Sequence, residues 1–506
     1  MTQNSTSASA PDLDADARHA AKPWPALIAL CIGFFMILVD TTIVTVATPA
    51  IIEDLHAEVN SVIWVTSAYL LAYAVPVLIT GRLGDRFGPK NLYLIGLTLF
   101  TVASLWCGLT GSVEMLILAR VFQGFGASMM TPQTMAVITR IFAPERRGQA
   151  MALWGATAGV ATLVGPILGG ILVDIAGWEW IFFINVPVGI VAFVLAWRLV
   201  PSLSTHTHRF DWLGVVLSGV GMFFLVFGIQ EGHQYDWNGW VLTSIVAGLA
   251  VLGLFLLWQA KNSAEPLVPL RLFADRNFSV SNFAISTMSF TATAMGFPLM
   301  LYAQLVRGLS PTNSALLMVP MALTSIVMAP IVGRFTDRVH PRLLCGAGFA
   351  VTAASLFWLA VVLDASIAYW QLLLPMALLG VGMSGIWAPL AATATRNLPM
   401  QLAGAGSGVY NATRQVGAVL GSAAIAVLMD ARLAAHLPGA AAGSPETGGQ
   451  RLPAAAHVPF SSAMAESMLL PAGVMVIGLF SVMLFVTPRH MSAPAAVAAD
   501  TEAASV

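Results

Sequence analysis

Two ionisable side chains, Asp40 and Arg120, lie within long apolar segments of the chain. A charge at the centre of a membrane-spanning helix costs about 2.5 to 3.5 kcal/mol on insertion scales, so such a residue marks a functional site by default. A carboxylate there can take up and release a proton, and a neighbouring guanidinium changes its proton affinity. We expect Asp40, or a nearby acid, to exchange protons, and we expect Arg120 to face a central cavity with Asp40 as its partner.

Both residues also have a structural interpretation. Asp40 lies little more than two helical turns before Pro49, so it could be a solvated residue at the outer membrane interface. Arg120 could instead bond to backbone carbonyl groups of the first helix. Gln123 follows Arg120 by three residues and continues the same helical face.

The segments that must position these side chains are apolar helices. Of the 506 residues, 58% are hydrophobic and 9% are charged, whereas soluble domains have roughly 25% charged residues. At about 20 residues per crossing, the apolar runs predict fourteen spans in an all-α integral membrane protein. The net charge of -1, without a basic cluster, excludes a nucleic-acid binder. Cys31, Cys107 and Cys345 fall within apolar runs, so we expect no disulfide and no metal site.

The basic residues predict the orientation of these spans. Of the 23 basic residues, three fall in predicted external segments (Arg307, Arg432 and Arg451), and Arg120 and Arg414 fall within spans. The others lie in segments on one side, so the positive-inside rule places both termini in the cytoplasm. We expect a multi-pass protein of the cytoplasmic (inner) membrane.

A charged loop of ten residues occurs twice. The first copy, residues 81–90, reads GRLGDRFGPK, and the second, residues 333–342, reads GRFTDRVHPR. The copies are eight predicted helices apart, so two six-helix halves must flank two inserted helices, as in parallel-repeat transporters. The expected segments are a cytoplasmic tail (1–24), a first half (25–200), the inserted helices (212–258), a second half (279–487) with a low-order external loop (431–468), and a cytoplasmic tail (488–506).

The loops are predicted to close the cytoplasmic end of the bundle. In the first copy, Asp85, Arg86 and Lys90 can form ion pairs at the cytoplasmic end of the bundle, and Gly81 permits close helix approach. The second copy is expected to be weaker, because Gly84 and Gly88 are replaced there by Thr336 and His340. A topology signal without a gating role is the alternative interpretation. The corresponding gate residues of the second copy are Gly333, Asp337 and Arg338.

The fifth predicted span contains the sequence GATAGVATLVGPILGG. Its glycines are spaced four apart and predict one flat face for close contact with another helix, and its proline allows a local bend. Ordinary helix packing is the alternative. The residues are Gly155, Gly159, Gly165, Pro166 and Gly169.

The remaining polar residues within spans are candidates for a substrate cavity. The thirteenth span has a polar face, the second span contributes a tyrosine and the fourth a glutamine. Hydrogen bonds between helices, each worth about 1 kcal/mol, are the alternative interpretation. The cavity candidates are Tyr69, Gln123, Asn411, Arg414 and Gln415.

Between residues 25 and 487 the chain resembles the major facilitator superfamily, and within it the fourteen-helix drug:proton antiporter branch. The resemblance lies in LVDTTIVTVATPAI of the first span, the GRLGDRFGPK loop, LARVFQGFGAS of the fourth span and the glycine-rich fifth span. WEWIFFINVPVG and AGAGSGVYNATRQVGAVLG also match the branch. It implies the major facilitator fold, proton transfer involving the fourth span, and antiport rather than symport from the fifth.

The expected function is proton-coupled export of amphipathic drugs or other small toxic compounds, by a secondary transporter rather than an enzyme. The alternative is an exporter dedicated to one metabolite on the same scaffold. A sensor or scaffold would need a sizeable soluble domain, and the sequence contains none. We expect a monomer whose partners are its substrate, protons and the lipid bilayer, without a cofactor, and no phosphate-binding loop for a nucleotide occurs.

Overall fold

The computed structural model describes residues 22–57, 59–143, 146–205, 211–232, 235, 237–262, 266–399, 402–437 and 452–487. Regular structure in these ranges is helical throughout. The helices before the predicted insertion are α1 (Pro23–Asp54), α2 (Val59–Ala74), α3 (Val77–Phe87), α4 (Pro89–Gly108), α5 (Val113–Ile141), α6 (Arg147–Ala176), α7 (Trp180–Phe183) and α8 (Asn185–Leu199). We call α1 to α8 the amino-terminal group.

Two helices follow as a hairpin, and then a second large group. The inserted hairpin consists of α9 (Trp212–Gln230) and α10 (Gly239–Lys261). The carboxy-terminal group consists of α11 (Arg276–Ala294), α12 (Gly296–Leu301), a π-helical turn (Tyr302–Val306), α13 (Pro311–Leu316), α14 (Val319–Thr336), α15 (Pro341–Val362), α16 (Tyr369–Arg396), α17 (Ala403–His436), α18 (His457–Ser467) and α19 (Leu469–Val482).

Thirteen of the described helical segments are long and apolar enough to cross a membrane, and a bent pair raises the number to fourteen. The bend, of 46°, separates Trp64–Ala74 from Val77–Phe87. Pro76 lies at this break, where its missing N–H and its ring interrupt the helical hydrogen bonds. The prediction of an all-α membrane fold with about fourteen spans is confirmed.

The low-order loop predicted for residues 431–468 is too long. Helix α17 continues to His436, and α18 covers His457–Ser467, so the last apolar span begins at His457 and not at residue 469. These stretches are rich in alanine, which has the highest helix propensity of all residues, and this explains why they are helical. Residues 438–451, in the middle of the predicted loop, lie outside the described ranges.

Close helix packing holds each group together. In the amino-terminal group, α1 packs against α6 and α4 against α5; in the carboxy-terminal group, α11 packs against α17 and α15 against α16. Glycine is needed at such contacts: a Cβ atom on Gly126 of α5 would lie 2.6 Å from the backbone nitrogen of Phe100 on α4. Where the groups meet, α3 and α5 contact α17, and α6 contacts α14 and α16. We call this interface the seam.

The inserted hairpin lies along one edge of the seam. Its two helices pack against each other, and α9 also contacts both α2 and α17. Met222 and Val226 of α9 are buried against Ala74 of α2, with Val416 and Val419 of α17 packed around them. The hairpin therefore touches both large groups.

Candidate functional site

Asp40 lies in the middle of α1 and is completely buried. Its Oδ2 atom accepts a hydrogen bond from Nη1 of Arg120 at 2.5 Å, and its Oδ1 atom accepts from Nε2 of Gln123 at 2.8 Å and from Nδ2 of Asn185 at 3.2 Å. A buried carboxylate needs this kind of compensation, because leaving water costs a charged group several kcal/mol. The alternative of a solvated residue at the membrane interface is therefore wrong.

Arg120 is also fully buried, and its guanidinium group is enclosed by the amino-terminal group. Besides Asp40, it donates to the backbone oxygen of Val65 on α2 at 3.1 Å and to Oε1 of Gln123 at 2.7 Å. Its central carbon lies 4.0 Å from the centroid of the Tyr69 ring, within cation–π distance. These partners belong to α1, α2 and α5, so the expectation that Arg120 faces a central cavity is not met in this structure. The carboxylate offsets the cost of burying the cation away from water.

Asn185, the first residue of α8, is the third hydrogen-bond donor to Asp40. Its side-chain nitrogen also donates to Oγ of Ser104 at 3.0 Å, and Ser104 in turn donates to the backbone oxygen of Phe182. Asn185 is a site residue that was not predicted from the sequence, although it is a polar amide in the apolar stretch IFFINVPVG. Its polarity within a span was the available signal, because buried polar groups must be hydrogen-bonded.

The first charged loop, at the carboxy-terminal end of α3, contacts the carboxy-terminal group. Asp85, buried in the last turn of α3, accepts hydrogen bonds from the backbone nitrogens of Gly404 and Ala405, both at 3.0 Å. These N–H groups belong to the first turn of α17, where the helix dipole favours a negative charge. A Cβ atom on Gly81 would lie 2.7 Å from the backbone oxygen of Gly404, so glycine is required for this approach.

The second charged loop makes the equivalent contact from the carboxy-terminal group to the amino-terminal group. Asp337, directly after α14, accepts a hydrogen bond from the backbone nitrogen of Gly148 in the first turn of α6 at 3.0 Å, and Arg396 donates to the same carboxylate at 2.9 Å. A Cβ atom on Gly333 would lie 3.1 Å from the Cα atom of Gln149. Burial raises the pKa of Asp337 to about 6, although the backbone N–H of Gly148 and the Arg396 guanidinium act in the opposite direction.

The basic residues of the loops lie elsewhere. Arg86 and Arg338 are exposed, and Lys90 donates to the backbone oxygen of Trp197 at 2.7 Å. The described partners of Asp85 are the backbone of α17 and, at 3.8 Å, Arg82 of its own helix. Ion pairs of Arg86 and Lys90 at this end of the bundle stay a prediction. In the second loop, Asp337 has a helix N-terminus and Arg396 as partners.

The glycines of α6 form two faces and not one. Gly165 and Gly169 pack against α1, where a Cβ atom on Gly169 would lie 2.7 Å from Cγ1 of Ile43. Gly155 and Gly159 face the carboxy-terminal group, where added Cβ atoms would lie 3.6 Å from Trp387 and 3.7 Å from Ser325. Gly155 lines a small crevice between α6, α14 and α16. Ten residues separate Gly155 from Gly165, which rotates the second pair away from the first, and Pro166 lies within the continuous helix.

The cavity candidates divide between two places. Tyr69 and Gln123 belong to the Asp40 cluster, whereas Asn411, Arg414 and Gln415 lie on α17. Arg414 donates to the hydroxyl of Tyr73 on α2 at 3.0 Å, across the seam, and that hydroxyl also pairs with Thr131 of α5 at 3.0 Å. Asn411 is buried and donates to the backbone oxygen of Ser407. The structure thus places Arg414 between the two helix groups.

Two groups of apolar helices that dock across a seam, one of them with a buried ion pair inside it, define a multi-pass membrane protein. The model of the Major Facilitator Superfamily matches residues 30–422. A protein of Mycobacterium tuberculosis described as an uncharacterized MFS-type transporter is 52% identical over 93% of this chain and 82% of its own length. The chain belongs to the major facilitator superfamily.

Other relatives carry functional names. The tetracenomycin C resistance and export protein of Streptomyces glaucescens is 35% identical over 82% of this chain and 78% of its own length. The multidrug export protein EmrB of Haemophilus influenzae is 33% identical over 81% of each chain. The crystal structure of a human organic anion transporter matches with a TM-score of 0.62 at 12% identity, over 91% of this chain and 99% of that one, which establishes a shared fold.

Proposed function

We propose that this protein is a proton-coupled antiporter that exports amphipathic small molecules across the cytoplasmic membrane. The observation that carries the proposal is the buried pair of Asp40 and Arg120 in the middle of the amino-terminal group. Asp40 is fully buried, and all its partners belong to the amino-terminal group. Protonation of this carboxylate therefore changes the charge inside that group. Relatives named for drug export support the direction of transport.

The orientation follows from the same proposal. With the charged loops in the cytoplasm, Asp85 and Asp337 hold the cytoplasmic ends of the two groups together through the N-termini of α17 and α6. A proton that binds Asp40 from outside neutralises the carboxylate and weakens its hold on Arg120. The rearranged cluster then favours the conformation in which the cytoplasmic contacts open, the proton leaves and new substrate enters.

The driving force is sufficient for useful export. One charge that crosses 100 mV gains about 2.3 kcal/mol, which sustains a concentration gradient of roughly fortyfold at about 1.4 kcal/mol per tenfold. One exchanged proton per substrate molecule is therefore enough to lower the internal concentration of a toxic compound substantially.

Efflux of a dye panel from cells with and without a protonophore tests the proposal. Wild-type export should stop when the protonophore is added, and Asp40→Asn should abolish proton-driven export. The same variant in proteoliposomes should still exchange labelled for unlabelled substrate, because this reaction needs no proton movement. Asp364→Asn, which changes an exposed acid after α15, is the control and should export normally. Wild-type export by Asp40→Asn would contradict the proposed role of Asp40.

A second candidate is an exporter dedicated to one metabolite. The name of the Streptomyces relative, which specifies a single compound, favours this reading. A dedicated exporter should move at most one chemical type in the dye panel, and its gene should lie beside genes that make the compound. Export of several unrelated dyes would favour the broad substrate range.

A further inference from the structure

Arg414 is a cation at the seam for which the described residues supply no carboxylate. It lies on α17, well inside a predicted span, and its one hydrogen bond to a described residue is to the neutral hydroxyl of Tyr73. Its Nε atom is buried and has no acceptor among the described residues. By contrast, the cation of Arg120 is balanced by Asp40. An arginine within the membrane normally pairs with an acid or lines a path for a charged solute.

We propose that Arg414 binds an anionic group of the exported molecule, such as a carboxylate, a sulfonate or a phenolate. The proposal rests on the transport function above and specifies the substrate class for it. Guanidinium groups match carboxylates in planar, two-point geometry, and Arg414 has Nη2 engaged by Tyr73 and Nε unengaged. In this structure the Tyr73 hydroxyl takes the place that the anion would occupy.

The surroundings of Arg414 fit a ligand site between two domains. The guanidinium reaches from α17 to α2, and Asn411, one turn earlier, contacts Met135 of α5. The Oδ1 atom of Asn411 is buried without a donor among the described residues, so it can accept a hydrogen bond from the ligand. In transporters built from parallel repeats, substrate sites lie at the interface of the repeats near the membrane midplane.

The charge balance at the seam favours an anion over a cation. A cationic compound would need a carboxylate beside Arg414, but Asp40 is enclosed in the amino-terminal group and already bonded to three donors. The buried Glu231, directly after α9, lies instead against Ser67, nearly two turns of α2 before Tyr73. It would also be repelled by Arg414 in a medium of low dielectric constant, where like charges interact strongly. An acidic or phenolic amphipath instead gains a partner for its charge.

The contact between Arg414 and Tyr73 could couple substrate binding to the protonation of Asp40. Tyr73 lies next to Tyr69, with ring centroids 6.2 Å apart, and the Tyr69 ring covers the guanidinium of Arg120. An anion that displaces the Tyr73 hydroxyl from Arg414 would move a side chain two contacts away from the Asp40 pair.

Two dyes with the same ring framework test the proposal: fluorescein, which is an anion at neutral pH, and rhodamine 123, which is a cation. Binding of each dye to the purified protein is measured by fluorescence anisotropy, and transport is measured in inside-out vesicles. Arg414→Gln should weaken fluorescein binding and raise its KM at least tenfold, because a charge-assisted hydrogen bond is lost. Arg414→Lys should recover part of the loss, and rhodamine 123 should be unaffected or better transported.

Arg432→Gln provides the matched control, because Arg432 lies on the same helix but is 47% exposed and pairs with Glu466. This variant should behave as wild type. Equal losses for both dyes in Arg414→Gln, or a wild-type protein that binds rhodamine 123 but not fluorescein, would overturn the proposal. Fluorescein binding that depends on Arg414 without any transport would instead leave the binding site standing and refute the transport function.

Discussion

The two charged loops make the same kind of contact with different partners. Asp85 sits inside the last turn of α3 and is bonded to two backbone nitrogens of α17, with Arg82 of its own helix 3.8 Å away. Asp337 sits just beyond α14 and is bonded to α6, with Arg396 at 2.9 Å. What the repeat preserves is an acid facing the first turn of a helix in the opposite group, together with the glycine that allows the approach.

The difference between the loops shows which part of the motif can vary. The exposed Arg86 and Arg338 are repeated in sequence, but neither donates to the aspartate of its own loop in any described hydrogen bond. The cation near each aspartate comes from a different position: Arg82 within the first loop and Arg396 at the end of α16 for the second. The aspartates are therefore explained by docking, whereas the cation that accompanies each of them is not at a repeated position.

Removal of both aspartates should have the largest effect. Asp85→Ala with Asp337→Ala leaves buried N–H groups of α17 and α6 without acceptors, at about 1 to 3 kcal/mol for each site. The two sites share no partner, so their effects should add. Spin labels on the exposed Phe87 and Leu343 should report a longer distance at this end. An unchanged distance in the double variant would show that other contacts hold the ends together.

Alanine in place of the loop glycine should affect the first copy of the loop more than the second. In Gly81→Ala the new methyl group would lie 2.7 Å from a backbone oxygen and 2.8 Å from the Cα atom of Gly408, neither of which can move aside easily. In Gly333→Ala the nearest atom is the Cβ atom of Ala152 at 2.9 Å. Overpacking of this kind costs about 1 to 3 kcal/mol, and we expect Gly81→Ala to lower export more than Gly333→Ala. Equal export by both variants would indicate that the loops approach their helices equally closely.

The pKa of Asp337 predicts a pH effect on the second contact. Its value of about 6 in the docked state lies above the ordinary 3.8, so the docked state binds the proton more tightly than an open, hydrated state would. Docking should therefore become more favourable as the pH falls through 6, by about tenfold between pH 7 and pH 5. Asp337→Asn keeps an acceptor that does not titrate and should remove this contribution to the pH dependence. The spin-label distance measured across this pH range provides the readout, and an unchanged dependence in the variant would contradict the assignment.

Substitution of the exposed loop arginines should have the smallest effect. Arg86→Gln should change the docked population by less than about 0.5 kcal/mol, as is usual for surface substitutions. Arg396→Gln removes a buried cation from Asp337 and should have a clearly larger effect on the same spin-label distance. A larger effect of Arg86→Gln than of Arg396→Gln would restore the original view of the loop as an ion-pair latch.

Much of the architecture was predictable because it depends on local composition. Apolar runs predict the spans, which are confirmed, and the repeat of Gly81 and Asp85 at Gly333 and Asp337 predicts two halves. Asp40 and Arg120 could be predicted as partners because two opposite charges within an apolar bundle have few other ways to be compensated. The bend at Pro76 and the helical ends of the 431–468 segment were not predicted. Proline occurs at helix starts, in bends and in loops, and alanine occurs in both helices and loops, so neither residue alone specifies the local structure.

The docking contacts were beyond prediction for a physical reason. The partners of Asp85 are backbone N–H groups, which every residue except proline carries and which no sequence pattern distinguishes. Gly404 lies 319 residues away from Asp85 in the chain, and what selects it is its position in the first turn of α17. Similarly, the two glycine faces of α6 depend on which helices surround it, and a single sequence does not specify its neighbours.

The inserted hairpin has a consequence for compounds that dissolve in lipid. Because Met222 and Val226 of α9 fill the groove between α2 and α17, hydrocarbon tails on that flank meet the hairpin and not the seam. On another flank, α6 faces α14 and α16 across the crevice beside Gly155 and Trp387. The two extra helices thus make the flanks of the seam unequal, because one is covered by the hairpin and the other carries the crevice.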